Sequence, residues 1–116
     1  MEVQTVGYFL NIEIESIIFK KVFKYSFILY TFTGMIASGS EDYTIKIWDP
    51  TNDYSCIKTL TGHTDSLYSI TQLSNGMIAS GSWDYDIKIW DPTNDYSCIK
   101  TLAGHTDFVF SILTID

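Results

Sequence analysis

The chain has 116 residues, room for one domain at most, and carries seven lysines against fourteen carboxylates for a net charge of -7. That acidic balance excludes a nucleic-acid backbone as the main partner, because phosphate binding needs a basic footprint. No arginine is present, which also excludes bidentate capture of phosphate or carboxylate by a guanidinium.

The chain opens with "MEVQTVGYFLNIEIESIIFKK", whose acidic start, missing basic n-region and carboxylates at Glu13 and Glu15 inside the apolar stretch are not those of a secretory signal. The most apolar run, residues 25–37, is shorter than the ~20 residues a membrane helix needs. An intracellular, cytoplasmic chain with no membrane partner is therefore expected, with the nucleus left open. Further on, "TIKIW" at 44–48 and "DIKIW" at 86–90 alternate strictly. Ile45 and Ile47, or Ile87 and Ile89, share one face, and Lys and Trp share the other, which predicts strands. "GMIAS" follows a hairpin turn, Ser74-Asn75-Gly76 in its second occurrence. "WDPTND" sets Pro50 or Pro92 directly after a strand, where no ladder donor is lost, and then supplies turn-forming Asn and Asp. No sustained helical periodicity interrupts these stretches.

These stretches are two copies of one unit. Gly34 aligns with Gly76, an offset of 42 residues that also registers Ser40 with Ser82, Trp48 with Trp90, Cys56 with Cys98 and His63 with His105. A period of about 40–45 residues is that of β-propeller blades. With Gly62-His63 and Gly104-His105 in the loops and Ile-Trp-Asp closing each unit, residues 34–116 resemble WD40 repeats. The resemblance implies an all-β fold, a WD40-type β-propeller fragment of two four-stranded antiparallel blades plus the first strand of a third. Blade one, residues 25–62, would take a degenerate first strand from "YSFILYTF" and further strands at 35–40, 44–49 and 55–60. Blade two, residues 63–104, would take 66–73, 77–82, 86–91 and 97–102, and residues 105–116 would hold a third blade's first strand at 107–115. Residues 1–24 contain nothing repeat-like, and the 42-residue offset sets Lys21 where a histidine belongs.

Ser, His and Asp recur together, as in a hydrolase. The WD40 resemblance instead implies a buried hydrogen-bonded tetrad of His63, Ser80, Asp84 and Trp90, with Ser82 as the alternative serine. The chemistry is self-consistent: an indole N–H only donates, a serine hydroxyl accepts and passes a proton on, imidazole does the same, and a carboxylate ends the chain. Catalysis would need an exposed nucleophile and an oxyanion hole, and no Gly-x-Ser-x-Gly elbow is present. No catalytic residue and no enzymatic activity are expected. Blade one offers Ser38, Asp42 and Trp48 without the histidine, and His105 precedes no second Ser, Asp and Trp, so one full tetrad is expected. His63 with Asp65, and His105 with Asp107, do not make a close four-ligand set, so neither a metal nor another cofactor is expected. Cys56 and Cys98 hold equivalent positions in successive outer strands, beyond the ~7 Å reach of a disulfide, and two reduced thiols fit an intracellular compartment.

The copies differ chiefly at Glu41/Trp83, Thr44/Asp86, Thr61/Ala103, Ser66/Phe108, Leu67/Val109 and Tyr68/Phe110. The resemblance places these at a partner-facing rim, with Glu41, Asp65, Tyr68, Trp83, Asp86, Phe108 and Phe110 as candidate binding residues. Aromatic anchors beside carboxylates suit an apolar or basic protein segment better than a phosphorylated one. The expected function is a non-catalytic protein–protein interaction scaffold, a fragment of a longer propeller. The alternative is the propeller part of a larger multidomain enzyme or ubiquitin-ligase substrate adaptor. Two blades leave strand edges open, so self-association is expected as well.

Overall fold

A computed structural model describes residues 26–30 and 34–115, with side chains described from residue 34 onward. The expectation for residues 1–24 lies outside the described residues. Eight strands follow in order: β1 (Ser26–Tyr30), β2 (Ile36–Ser40), β3 (Ile45–Asp49), β4 (Ser55–Leu60), β5 (Leu67–Gln72), β6 (Ile78–Ser82), β7 (Ile87–Asp91) and β8 (Ser97–Leu102). They form two antiparallel meanders, β1-β2-β3-β4 and β5-β6-β7-β8. Each strand begins within about a residue of the bounds that the WD40 resemblance implies.

The turns explain the meanders. Gly76 sits at φ 90°, where only glycine is unstrained, and its N–H donates to the Leu73 carbonyl at 2.9 Å to close the β5–β6 hairpin. Between β3 and β4, Asp49 accepts the Thr51 N–H at 2.8 Å and so caps a single 3-10 turn over Pro50–Asn52. Asp91 repeats this cap for Pro92–Asn94. The β2–β3 and β6–β7 turns each hold a tyrosine, Tyr43 and Tyr85, at φ 79° and 80°. That left-handed conformation is uncommon for a residue with a side chain, and no letter of the sequence signals it.

The core lies between the sheets. Ala37, Ile45, Ile47 and Leu60 of the first sheet are buried with Leu67, Ile78 and Trp90 of the second. Gly39 allows the close approach: a Cβ there would stand 3.1 Å from the Leu67 Cβ. Among the described residues the second sheet's far face has no equivalent cover. Leu60 is 3% exposed, whereas its counterpart Leu102 is 43% exposed, and Ile87 and Ile89 are only half-buried.

Residues 107–115 correct one expectation, since they form no strand. A strand needs a ladder, and no described strand lies beyond them to supply one. They are nevertheless held against the second sheet, with the Val109 N–H donating to the Ser82 carbonyl at 3.0 Å.

Candidate functional site

Ser80 lies at the middle of β6, fully buried, and register pairs it with Lys88 of β7, leaving the buried Trp90, paired with Ile78, diagonal to it on the same face. The Trp90 indole N–H donates to Ser80 Oγ at 2.8 Å. Ser80 Oγ in turn lies 2.8 Å from His63 Nε2, and His63 Nδ1 lies 2.7 Å from Asp84 Oδ2. Because the indole can only donate, Ser80 accepts from it and passes its own proton to Nε2. That leaves the imidazole proton on Nδ1, facing the carboxylate. Asp84 also accepts the Thr64 N–H at 3.0 Å and the Asp86 N–H at 2.9 Å. The four residues named from the sequence are thus brought together in one continuous relay.

Ser82 is not a member of it. Its Oγ accepts the Asp84 N–H and donates to the Asp65 carbonyl, both at 3.0 Å, so it braces the turn that carries Asp84. Ser80 is fully buried within the relay. Among the described residues no group of three or more His, Cys, Asp or Glu could hold a metal ion, and Cys56 and Cys98 are both exposed and unpaired.

Burial lowers the His63 pKa from its ordinary value near 6.5, against the pull of the Asp84 carboxylate. Burial also pushes Asp84 upward, but the hydrogen bonds from His63, Thr64 and Asp86 outweigh it and hold its pKa below the usual 3.8. Both groups are therefore depressed on folding. The His63 contribution to stability is complete above pH 6.5 and is lost as pH falls below that value, with Asp84 adding its loss only below pH 3.8. Melting curves should show the midpoint falling between about pH 7 and about pH 5. A His63→Gln variant should flatten that slope; an unchanged slope would contradict the depressed histidine.

Blade one's counterpart stops halfway. Trp48 donates to Ser38 Oγ at 2.9 Å, and Asp42 is engaged through Oδ1 with the Thr44 N–H and hydroxyl, at 3.0 and 2.7 Å. Asp42 is exposed and Trp48 half-buried, where Trp90 is buried. The Gly104-His105 loop is likewise open, and His105 is exposed.

The candidate rim gathers at one end of the sheets. Trp83 is stacked between Tyr68 and Phe108, at centroid distances of 4.7 and 4.3 Å and interplanar angles of 9° and 12°. Phe110 meets Tyr68 and Phe108 edge-on at 5.8 and 6.0 Å. Tyr85, which the sequence did not single out, tilts against Phe108 at 6.0 Å. Trp83 is accordingly the middle plank of a stack rather than a free-standing anchor, and its indole N–H is buried with no acceptor among the described residues. Glu41 is exposed and offers its carbonyl to Ser66 Oγ at 3.4 Å. Asp65 and Asp86 are half-buried beside the turns, Asp65 accepting the Ser66 N–H at 2.8 Å.

Among known proteins, a family profile described as "WD domain, G-beta repeat" (WD40) matches residues 27–49 and 54–91. Nuclear distribution protein PAC1-1 of Uncinocarpus reesii is 56% identical over 36 residues, 31% of this chain and 8% of that protein. Nuclear distribution protein PAC1 of Yarrowia lipolytica is 46% identical over 37 residues, 32% of this chain and 8% of its own length. The matched segment thus spans less than a tenth of either relative. The crystal structure of RRP9 WD40 repeats superposes with a TM-score of 0.64 at 28% identity, covering 72% of this chain and 26% of that one.

Proposed function

The chain belongs to the WD40 repeat family, and from that premise we propose that it is a non-catalytic scaffold, part of a longer propeller, whose protein partner docks on the aromatic rim. The observation that carries this reading is the run of rings at one end of the sheets, Tyr68, Trp83, Phe108 and Phe110 in mutual contact. Rigid aromatic surface buries much area at small entropic cost; Asp86 shares the β6–β7 turn with Trp83, and Glu41 meets Ser66 through its carbonyl. An apolar or basic segment matches that surface, whereas a phosphorylated one meets carboxylates and no arginine. The enclosed Ser80 supports a relay that stabilises rather than reacts. Unpaired Cys56 and Cys98 support a cytoplasmic location. The nuclear distribution likeness covers a length shorter than one 42-residue repeat and carries the reading no further than the repeat itself.

Phe110 offers the clean test, being 61% exposed at the outer end of the stack. A leucine–lysine peptide should bind the chain, and Phe110→Ala should weaken it roughly tenfold with no change in melting midpoint. A phosphoserine–glutamate peptide of equal length should bind at least as weakly as the variant. Preference for the phosphopeptide, or no effect of the substitution, would overturn the rim assignment.

A further inference from the structure

The outermost strands, β4 and β8, present a second surface away from the rim. In β3–β4, Trp48 pairs with Cys56 and Ile47 with Lys58, so Ile57 is the extra residue of a bulge and has no partner across the ladder. In β7–β8, Trp90 pairs with Cys98 and Ile89 with Lys100, which leaves Ile99 in the same position. Ile57 is 45% exposed and Ile99 50%. A missing neighbour does not explain this, because the second sheet covers the first: Leu60 is 3% exposed and Leu102 43%. The isoleucines stay out in both settings. Their exposure belongs to the bulge and is the same with and without a following blade. A single exposed isoleucine is ordinary, whereas the same one repeated blade for blade forms a ridge.

The charge of this ridge is opposite to that of the chain. All four lysines among residues 34–115, Lys46, Lys58, Lys88 and Lys100, lie in β3, β4, β7 and β8, and β4 and β8 hold no carboxylate. Lys46 sits on β3 but carries its ammonium outward to the exposed Thr59 hydroxyl of β4, at 2.9 Å. Lys88 does the same to Thr101 of β8, at 2.8 Å. Lys58 is taken up by Asp95 at 2.8 Å, a bridge that ties the outer edge of one sheet to the turn of the next. Lys46, Lys88 and the exposed Lys100 therefore remain to meet a partner's charge.

We propose that the bulged edges of β4 and β8 form a docking surface for an acidic segment of another protein, which packs apolar side chains on Ile57 and Ile99 and sets its carboxylates against Lys46, Lys88 and Lys100. The inference goes beyond the rim reading and does not depend on it, since the rim takes the opposite charge. A bulge on an edge strand blocks the ladder that an added strand would need, so side chains rather than backbone carry the contact. The segment accordingly crosses from blade to blade at the Lys58–Asp95 seam instead of running along one edge. Exposed ion pairs contribute little singly, so the isoleucines supply the affinity and the lysines select for an acidic segment. Because the ridge is repeated, a segment that reaches both blades makes its second contact at high effective concentration.

Fluorescence anisotropy of a labelled glutamate–leucine peptide, titrated with the 116-residue chain, tests the surface. The peptide should bind, and binding should weaken as salt rises. Ile99→Ser and Lys100→Glu should each weaken it about tenfold, and Ile57→Ser combined with Ile99→Ser should weaken it further. Ile99 and Lys100 are both exposed, so neither change should move the melting midpoint. Ile99→Ser should also leave the affinity for the leucine–lysine peptide unchanged. In the nitrogen-15 spectrum the glutamate–leucine peptide should shift the amides of Ile57 and Ile99 and not the Trp83 indole signal. A glutamate–serine peptide of equal length lacks the apolar side chains and should bind far more weakly. Failure of the glutamate–leucine peptide to bind, equal binding of the glutamate–serine peptide, or binding unaffected by both Ile99→Ser and Lys100→Glu would overturn the proposal.

Discussion

His63→Ala is expected to lower the unfolding free energy by about 3 kcal/mol, whereas His105→Ala, one repeat on, should lower it by less than about 0.5 kcal/mol. The two positions share their local sequence, Gly-His-Thr-Asp, so the contrast isolates the environment from the residue. At position 63 the imidazole is buried and joins Ser80 to Asp84. Its removal leaves the Ser80 hydroxyl without its acceptor and the Asp84 carboxylate facing a cavity, and a buried charge without its partner is the costly case. At position 105 the ring is exposed. Urea titration at low concentration measures both; equal losses would mean the relay is not what distinguishes them.

Gly39→Val is expected to cost at least about 2–3 kcal/mol and to separate the sheets. The Cβ alone would stand 3.1 Å from the Leu67 Cβ, an atom fixed directly to the β5 backbone that no rotamer can move. Valine adds two methyl groups in the same space, so the whole second sheet must retreat and the burial of Ile45, Ile47 and Leu67 is weakened. Gly81→Val probes the same geometry one repeat on, where the Cβ would stand 2.6 Å from Val109 Cγ1. That contact holds a segment outside any ladder, so residues 107–115 should lift away while the core stays packed. Hydrogen exchange reads the difference: Gly39→Val should expose amides of both sheets, and Gly81→Val that of Val109. Equal protection in the two variants would contradict the packing described.

Much of the fold was legible because the repeat states everything twice. Alternation in "TIKIW" and "DIKIW" placed β3 and β7, Gly76 placed a hairpin, and Asp49 and Asp91 proved to cap the turns that their Pro-Thr-Asn sequences announce. The relay residues were legible through their hydrogen-bonding capacities together with the WD40 resemblance. Other features were not, for one physical reason. A pattern reports which face a residue takes, not whether a neighbour lies against that face. Ile45 and Ile87 each open the same sixteen letters, IKIWDPTNDYSCIKTL, yet one is buried and the other only half-buried. The same limit applies to residues 107–115, whose letters read as a strand but have no described ladder partner. Trp83 differs again. Its divergence from Glu41 marked the rim, but its place between Tyr68 and Phe108 depends on rings about fifteen and twenty-five residues away in sequence, which stack only once β5 and β6 are paired.

The three tryptophans occupy three settings, so their indole N–H signals separate scaffold from binding surface in one spectrum. Trp90 donates to the buried Ser80, Trp48 donates to Ser38, and Trp83 lies in the rim stack without an acceptor among the described residues. Titration of the nitrogen-15-labelled chain with the leucine–lysine peptide should shift the Trp83 indole signal and leave that of Trp90 in place. A shift at Trp90 with Trp83 unmoved would contradict a partner-binding rim carried on a structural relay.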